Sequence, residues 1–134
     1  MDLVHQHLLI RAFLKNPPLE EEQLKNWFRK VVSAIDMKVC IEPQAKYVDA
    51  TGNKGLTGLV GIETSHMSAH CTSHFWDECS PALVQLDVYS CKQFNPDTII
   101  EMLSEFGLVS YEAMLIDRED GFKIISHTKI EAKS

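Results

Sequence analysis

The chain has 134 residues, of which 45% are apolar and 24% are charged, and its formal net charge is -6. This balance is typical of a folded globular domain and excludes an intrinsically disordered chain. The negative charge argues against a nucleic-acid partner, because binding to a phosphate backbone needs clustered Lys and Arg. The longest N-terminal apolar stretch, residues 8–14, contains Arg11 and is too short to span a bilayer, so we expect a cytoplasmic protein without a membrane partner.

The N-terminal part of the chain predicts a strand followed by a helix. Residues 5–14 have the composition of a strand, and two prolines with three glutamates then mark the start of a helix. Apolar residues at three- and four-residue spacing predict that this helix is amphipathic and ends near Asp36. The apolar stripe consists of Leu24, Trp27, Phe28, Val31 and Ile35.

The next part of the chain predicts extended structure. Residues 37–49 resemble a strand that Pro43 interrupts, and a turn-rich loop follows. Residues 56–71 then predict a second extended stretch, in which Gly58 and Gly61 mark places of close approach.

The C-terminal half predicts a strand, a helix and a hairpin. Residues 82–91 alternate between apolar and other residues, with Ala82, Val84, Leu86 and Val88 on one face. Asn95 and Pro96 are typical of a helix start, and Gly107 predicts its end. Residues 109–117 and 122–130 flank an acidic, glycine-containing loop and predict a hairpin. The buried stripe of the helix is Ile99, Ile100, Leu103 and Phe106.

These elements predict an α+β fold in one domain, residues 1–134. We expect a two-layer sandwich in which two helices cover one face of a mostly antiparallel sheet. The other face then needs cover, because strands carry apolar residues on both faces, as at Leu83 and Tyr89 opposite Val84 and Val88. A homodimer in which two sheets pack together would provide that cover.

A dense polar segment, residues 63–71, interrupts the apolar strand pattern and admits three interpretations. It is a half-exposed strand whose alternating polar residues face solvent, a zinc site, or a Ser-His pair using Ser65 or Ser68. Histidines at four-residue spacing align as ligands on a helix but not on a strand, so we expect no metal. The ligands of the zinc alternative would be His66, His70, His74, Cys71 and Cys79.

Two segments carry a family resemblance. Residues 55–70 read Gly-Leu-Thr-Gly-Leu-Val-Gly-Ile-Glu-Thr-Ser-His-Met-Ser-Ala-His, and residues 86–91 read Leu-Asp-Val-Tyr-Ser-Cys. The first is similar to the processing site of bacterial S-adenosylmethionine decarboxylases, with the pattern Gly-x-Ser-Gly, an apolar run and Glu-Ser-His-x-Ser-x-His. The second resembles that family's apolar-Asp-Val-Phe-Thr-Cys strand. The order of the segments and the flanking elements are also compatible, so the resemblance covers most of the chain.

The resemblance implies that the protein cleaves itself. Ser65 matches the family serine whose oxygen attacks the preceding carbonyl and converts the peptide bond after Thr64 into an ester. His70 matches the histidine that assists the subsequent elimination, and Thr57 stands where the family has a serine that assists processing. The expected products are a fragment ending at Thr64 and a fragment beginning with a pyruvoyl group derived from Ser65.

The implied cofactor is this covalent pyruvoyl group, and no metal is expected. Its ketone forms a Schiff base with a substrate amine and withdraws electrons as carbon dioxide leaves. Cys91 matches the family acid that returns a proton to the substrate carbon. The implied substrate is S-adenosylmethionine, whose decarboxylated product is the aminopropyl donor for spermidine.

The chain departs from the family pattern where substrate would bind. The family has Phe-Ser-Pro-x-Gly, whereas residues 51–55 read Thr-Gly-Asn-Lys-Gly and provide no aromatic ring for an adenine. Ornithine or arginine is therefore an alternative substrate, since Asp49, Asp77 and Glu78 could pair with a cationic side chain. A third hypothesis is a homologue that does not process itself and acts as a partner or regulator. The candidate substrate-binding residues are Glu63, Asp49, Trp76 and Glu78.

Overall fold

The computed structural model describes residues 4–63 and 69–132. One helix follows the first strand and a second helix follows the fifth strand. In order, the elements are β1 (Gln6–Leu14), α1 (Glu21–Ala34), β2 (Val39–Val48), β3 (Gly55–Ile62), β4 (Ala69–Trp76), β5 (Ala82–Ser90), α2 (Pro96–Leu103), β6 (Leu108–Asp117) and β7 (Lys123–Ile130), with a 3-10 turn at Ser104–Phe106 after α2.

The strands form a single sheet in the order β2-β3-β4-β5-β1-β6-β7, and each neighbouring pair is antiparallel. The first strand, β1, lies inside the sheet between β5 and β6, whereas β2 and β7 form its edges. Residues of both helices join the strands in one hydrophobic core, on one face of the sheet. The predicted α+β fold, with an antiparallel sheet and two helices on one face, is confirmed.

One set of alternating residues on each strand faces the helices. On β5 these are the predicted Ala82, Val84, Leu86 and Val88, which are all buried. The register places Phe75 of β4 beside Val84, and it continues the apolar layer through neighbouring strands. Burial of these side chains supplies most of the favourable free energy for packing the sheet on the helices.

The helices follow their predicted patterns. The buried face of α1 includes the apolar stripe, and two glutamates in its first turn suit the positive end of the helix dipole. The side chain of Asn95 caps α2 by accepting a hydrogen bond from the Asp97 amide. Gly107 ends the following turn with a left-handed φ of 71°, as a glycine readily does. In the described residues, neither helix has the length and apolar character needed to cross a membrane.

Three aromatic rings connect the helices to the sheet. Trp27 of α1 lies 6.3 Å from Phe75 of β4 and 5.7 Å from Phe106, measured between ring centroids. Phe75 and Phe106 lie 5.9 Å apart at nearly perpendicular planes, a favourable edge-to-face arrangement. The Trp27 indole also donates a hydrogen bond to the Met102 carbonyl at 3.1 Å. These contacts join α1, α2 and β4 in one core.

Pro43 occupies the edge strand β2, where the pairing with β3 is irregular. The register shifts between Ile41 and Gln44, on either side of the proline. A proline lacks the amide hydrogen that a ladder requires, and an edge strand at a bulge tolerates that loss. The predicted interruption is therefore a bulge within one strand.

The prediction of one extended stretch at residues 56–71 is wrong. The structure has two strands there, because β3 ends at Ile62 and β4 begins at Ala69, with these two residues paired in antiparallel register. The prediction also ended too early, since β4 continues to Trp76. Consecutive polar residues in β4, Thr72, Ser73 and His74, hide the alternation that identifies a strand from local sequence.

Candidate active site

The face of the sheet opposite the helices, which we call the open face, carries most polar residues of the central strands. Antiparallel register aligns these side chains in rows across the sheet, and successive rows are about 7 Å apart along the strands. The Thr57 row consists of Lys46, Thr57, His74, Gln85, Arg11 and Glu112. The Asp87 row consists of Leu59, Thr72, Asp87, Leu9 and Met114. The Tyr89 row consists of Gly61, Tyr89, His7 and Ile116, and the β4 backbone at His70 pairs with Gly61 and Tyr89 between them.

A groove of about 710 Å³ lies on the open face, lined by the Thr57 row and the Asp87 row. Leu9 and Leu59 expose 37% and 43% of their surface there. Charged side chains of Arg11, Asp87 and Glu112 lie among these apolar residues. A groove with this mixed lining suits a ligand or a protein surface that has both apolar and charged groups.

His7 connects the Asp87 row to the Tyr89 row. Its Nε2 atom is in hydrogen-bond contact with Asp87 Oδ1. The Arg118 guanidinium donates to His7 Nδ1 over 3.2 Å. Since arginine only donates, Nδ1 must accept, and Nε2 carries the hydrogen that goes to Asp87. The two neighbours therefore select one tautomer of His7 and hold its ring in place.

Tyr89 is the buried aromatic residue of this cluster. The Arg118 guanidinium lies 4.7 Å from the Tyr89 ring centroid, within the range of a cation–π interaction. His7 contacts the ring edge to face at 5.7 Å between centroids, and His5 Nδ1 lies 3.2 Å from the Tyr89 hydroxyl. Arg118 and the two histidines thus fix the Tyr89 ring at this end of the sheet.

Three predicted site residues lie at the same end. The β4 backbone at His70 pairs with Gly61 on one side and with Tyr89 on the other. Cys91 follows β5 directly, is buried, and accepts a hydrogen bond from the Val4 amide at 3.1 Å through its backbone carbonyl. Glu63 is exposed just after β3, and its amide donates to the Lys38 carbonyl at 2.7 Å.

The predicted cleavage site itself, Thr64 and Ser65, lies outside the described residues, as do His66 and Ser68. The residues on either side of the segment are described. Ile62 pairs with Ala69, so the chain enters and leaves residues 63–68 next to the Tyr89 row.

The other predicted site residues lie at the opposite end of the β3–β4 hairpin. Thr57 pairs with His74, four positions from the Gly61–His70 pair, which corresponds to about 13 Å along the strands. Trp76 is further away and pairs with Gly55, and its indole donates to Asn53 at 2.8 Å. Asp49 and Glu78 follow in the adjoining turns. Within the chain, the predicted site residues therefore fall into two separate groups.

The carboxylates of the second group surround Tyr47. The Tyr47 hydroxyl donates to Asp77 Oδ2 at 2.7 Å. This hydrogen bond is the main reason that the pKa of Tyr47 is raised to about 12, with smaller contributions from burial and from the charges of Asp77, Asp49 and Glu78. Lys54 Nζ lies 3.8 Å from Asp49 Oδ1. Asp77 and Asp49 thus already have partners in Tyr47 and Lys54.

His74 belongs to this group but was considered only as a metal ligand in the sequence. Its Nδ1 atom lies 2.5 Å from Thr57 Oγ1, and its ring lies over Trp76 with 4.1 Å between centroids. Burial lowers the pKa of His74, and the nearby charge of Asp77 opposes this effect. His74 therefore favours the neutral form more strongly than an exposed histidine does.

The zinc alternative has no support from the cysteine positions. Cys71 is buried in the hydrophobic core, and burial raises the pKa of its thiol far above the ordinary range. Cys79 is exposed in the turn after β4, whereas His74 lies on the open face. Among residues 4–63 and 69–132, no group of three or more His, Cys, Asp or Glu side chains is arranged to hold a metal ion.

Neither His7 nor Arg118 stands out in the sequence, and Asp87 appears there only as part of the second family segment. Asp87 offered a signal, because it is a charged residue within an otherwise apolar strand. His7 and Arg118 are 111 residues apart in the chain and meet only through sheet pairing, which local patterns do not reveal.

Comparison with known proteins agrees with this architecture. The family model described as S-adenosylmethionine decarboxylase matches residues 7–119. That range runs from the second residue of β1 through the end of β6 and includes the three rows. No curated protein matches the chain. Because the family model covers most of the sequence, the chain belongs to the S-adenosylmethionine decarboxylase family.

Proposed function

We propose that the protein is a self-processing, pyruvoyl-dependent decarboxylase whose substrate is S-adenosylmethionine and whose product is the aminopropyl donor for spermidine. The observation that carries this proposal is that the backbones of His70, Glu63 and Cys91 all lie at the end of the sheet where the chain enters and leaves residues 63–68. His70 and Cys91 match the family's histidine and acid, and Glu63 is a candidate substrate-binding residue, although the family has Glu where this chain has Thr64. The family match over residues 7–119 supports the same assignment.

The chemistry of the neighbouring side chains fits a pyruvoyl group at Ser65. Such a group needs a proton donor and a base close to it, and Cys91 and His70 are residues of those types. Cys91 is 1% exposed, so a proton transferred from its thiol would meet little competition from bulk water. The packed cluster of Tyr89, His7 and Arg118 provides a rigid neighbour for both residues.

Processing would follow three steps. The Ser65 hydroxyl oxygen bonds to the Thr64 carbonyl carbon, the peptide C–N bond breaks, and the hydroxyl proton ends on the Ser65 nitrogen. His70 then removes the Cα proton of residue 65, and the Thr64 carboxylate leaves from Cβ with the electron pair of the ester bond. The resulting enamine gains a proton at Cβ and becomes an imine, and water adds to its carbon and displaces the nitrogen as ammonia, which leaves the ketone of a pyruvoyl group.

The residues at the same end of the sheet as His70 then have separate tasks in turnover. A pyruvoyl carbonyl supplies an electrophile that binds the substrate amine and accepts the electrons released with carbon dioxide. Cys91 would return a proton to the substrate carbon after carbon dioxide leaves. Asp87 and Arg118 orient His7, which in turn supports the Tyr89 ring beside this position.

A homodimer through the open face is part of this proposal. The groove and the exposed Leu9 and Leu59 supply apolar surface that a second copy would cover. A twofold axis along the Asp87 row would place the Thr57 row of one subunit opposite the Tyr89 row of the other. Within one subunit, Thr57 lies about 13 Å from the site at His70, as estimated from strand spacing. In the dimer, Thr57 of one subunit would lie near the site at His70 of the other.

Self-processing is tested by intact mass measurement of purified protein and of two serine variants. We expect wild-type protein to yield fragments 1–64 and 65–134 and Ser65→Ala to stay whole. Ser68→Ala is the matched control, since it removes a hydroxyl from the same segment and should leave cleavage intact. A wild-type chain that stays whole on long incubation would support the non-processing homologue instead.

Ornithine or arginine is the second candidate substrate, and the acidic surroundings of Tyr47 favour it. Asp49, Asp77 and Glu78 all contribute to the raised pKa of Tyr47, so they lie close enough together to attract a cationic side chain. Release of carbon dioxide from each of the three substrates by processed protein distinguishes the alternatives. Turnover of S-adenosylmethionine alone supports the proposal, and turnover of only a basic amino acid overturns its substrate assignment.

A further inference from the structure

The contact between Thr57 and His74 joins two residues, of which only Thr57 has a counterpart in the family pattern. The two residues pair across β3 and β4, and their side chains meet on the open face with 2.5 Å between Thr57 Oγ1 and His74 Nδ1. The His74 ring also lies over Trp76, whose indole is held by Asn53. His74 is therefore fixed on one side by an aromatic ring and on the other by a hydroxyl group.

The surroundings of the second ring nitrogen select a tautomer. His74 Nε2 is buried and has no hydrogen-bond partner among the described residues. A buried N–H without an acceptor is rarer in proteins than a buried acceptor without a donor. The hydrogen is therefore better placed on Nδ1, where it can be donated to Thr57 Oγ1, and Nε2 then keeps only a lone pair. The lowered pKa of His74 agrees with a neutral ring.

This tautomer has a consequence for the hydroxyl of Thr57. If the imidazole accepted the bond, the only hydroxyl hydrogen of Thr57 would be engaged with His74. With His74 as the donor, Oγ1 accepts and the hydroxyl hydrogen is available to another group. A directed hydroxyl hydrogen is what stabilises the negative charge that develops on a carbonyl oxygen during attack by a serine.

We propose that His74 is a positioning residue for self-processing: its Nδ1–H holds Thr57 Oγ1 in place and leaves the Thr57 hydroxyl hydrogen free to act as a donor during cleavage. This inference rests on the proposed function, in which Thr57 assists cleavage after Thr64 of the second copy in the homodimer. It extends that function to a residue on β4 that acts only through Thr57. The charged neighbours in the same region are Lys46 beside Thr57, Arg11 beyond Gln85, and Asp77 at the end of β4.

Three variants of the pair separate hydrogen bonding from packing. His74→Phe keeps a ring over Trp76 but removes the donor, and we expect cleavage to slow by about tenfold or more. His74→Asn places an amide N–H near the position of Nδ1, and cleavage should stay within about threefold of wild type. Thr57→Val should slow cleavage as well. Adding His74→Phe to Thr57→Val should cause no further loss, because the two residues act as one unit.

Cleavage at the wild-type rate in His74→Phe, or multiplicative losses in the double variant, would overturn the proposal. A nuclear magnetic resonance measurement of the His74 ring nitrogens in the uncleaved Ser65→Ala protein gives a readout that needs no activity. We expect hydrogen on Nδ1, with a change of the Nδ1 signal when Thr57→Val is added. Hydrogen on Nε2 would refute the assignment. If wild-type protein never cleaves itself, the proposed function fails, while the tautomer still decides whether His74 donates to Thr57.

Discussion

The two faces of the sheet have different roles. Alternate residues of each strand point either to the face covered by the helices, which stabilises the fold, or to the open face, which carries the candidate site. On the face covered by the helices, the described strands contribute an apolar layer in which Ser73 and Ser90 are the buried polar residues. On the open face, the same strands present His7, His74 and Asp87, together with exposed leucines. A change of one position along a strand therefore exchanges a residue that holds the fold for one that serves the site.

The largest effect should come from the covered face. Phe75→Ala removes a side chain that packs against Trp27 and Phe106, and we expect the free energy of unfolding to fall by about 3 to 5 kcal/mol. Phe122→Ala is the control, because this ring is 80% exposed and its loss should cost less than about 1 kcal/mol. Denaturant unfolding at one protein concentration measures both. Similar losses for the two variants would contradict the described core.

A charge on the open face should disrupt the proposed dimer without unfolding the chain. Leu9→Asp places a carboxylate in the middle of the Asp87 row, next to Asp87, and should weaken self-association about a hundredfold or more. Leu19→Asp is the matched control, since Leu19 is exposed before α1 and away from the open face. Sedimentation of both variants tests the expectation. Unchanged association of Leu9→Asp would exclude the open face as the interface.

A smaller loss should follow from adding a methyl group where β3 meets α1. A Cβ atom on Gly58 would lie 2.7 Å from side-chain atoms of both Leu24 and Phe28. We expect Gly58→Ala to reduce the free energy of unfolding by about 1 to 3 kcal/mol through overpacking. Leu59→Ala, on the open face, should change the stability of the isolated subunit less. Equal stability of Gly58→Ala and wild type would indicate a looser contact than the structure describes.

The smallest effect should be a pH dependence due to His74. Its pKa in the folded protein is lowered from 6.5, so the unfolded chain binds this proton first as the pH falls. The contribution of neutral His74 to stability should be complete above pH 6.5 and decrease below it, until the folded form is also protonated. Unfolding of wild type and His74→Asn across this range isolates the effect. If the free energy of unfolding fell equally in wild type and His74→Asn below pH 6.5, the pH dependence would not come from His74.

Local pattern predicted most of the fold for reasons that the structure makes clear. The stripe of α1, the alternation of β5 and the capped start of α2 each report which residues face the core. β4 was missed because Ser73 faces the core between Cys71 and Phe75, so its apolar alternation is broken. Its identity as a strand depends on pairing with β3 and β5.

The site was predictable only in part. The family resemblance pointed to His70 and Cys91, and in the structure the His70 backbone pairs with Tyr89 while Cys91 follows the end of the same strand as Tyr89. The contact between His7 and Asp87 spans 80 residues of sequence, and it exists because β1 is inserted beside β5. Such partners follow from strand order, which neither composition nor periodicity encodes.

The intact mass of freshly purified wild-type protein tests the central claim most directly. The proposed function requires two fragments that meet between Thr64 and Ser65, with a pyruvoyl group at the start of the second. A single uncleaved chain after long incubation, with the fold intact, would contradict it.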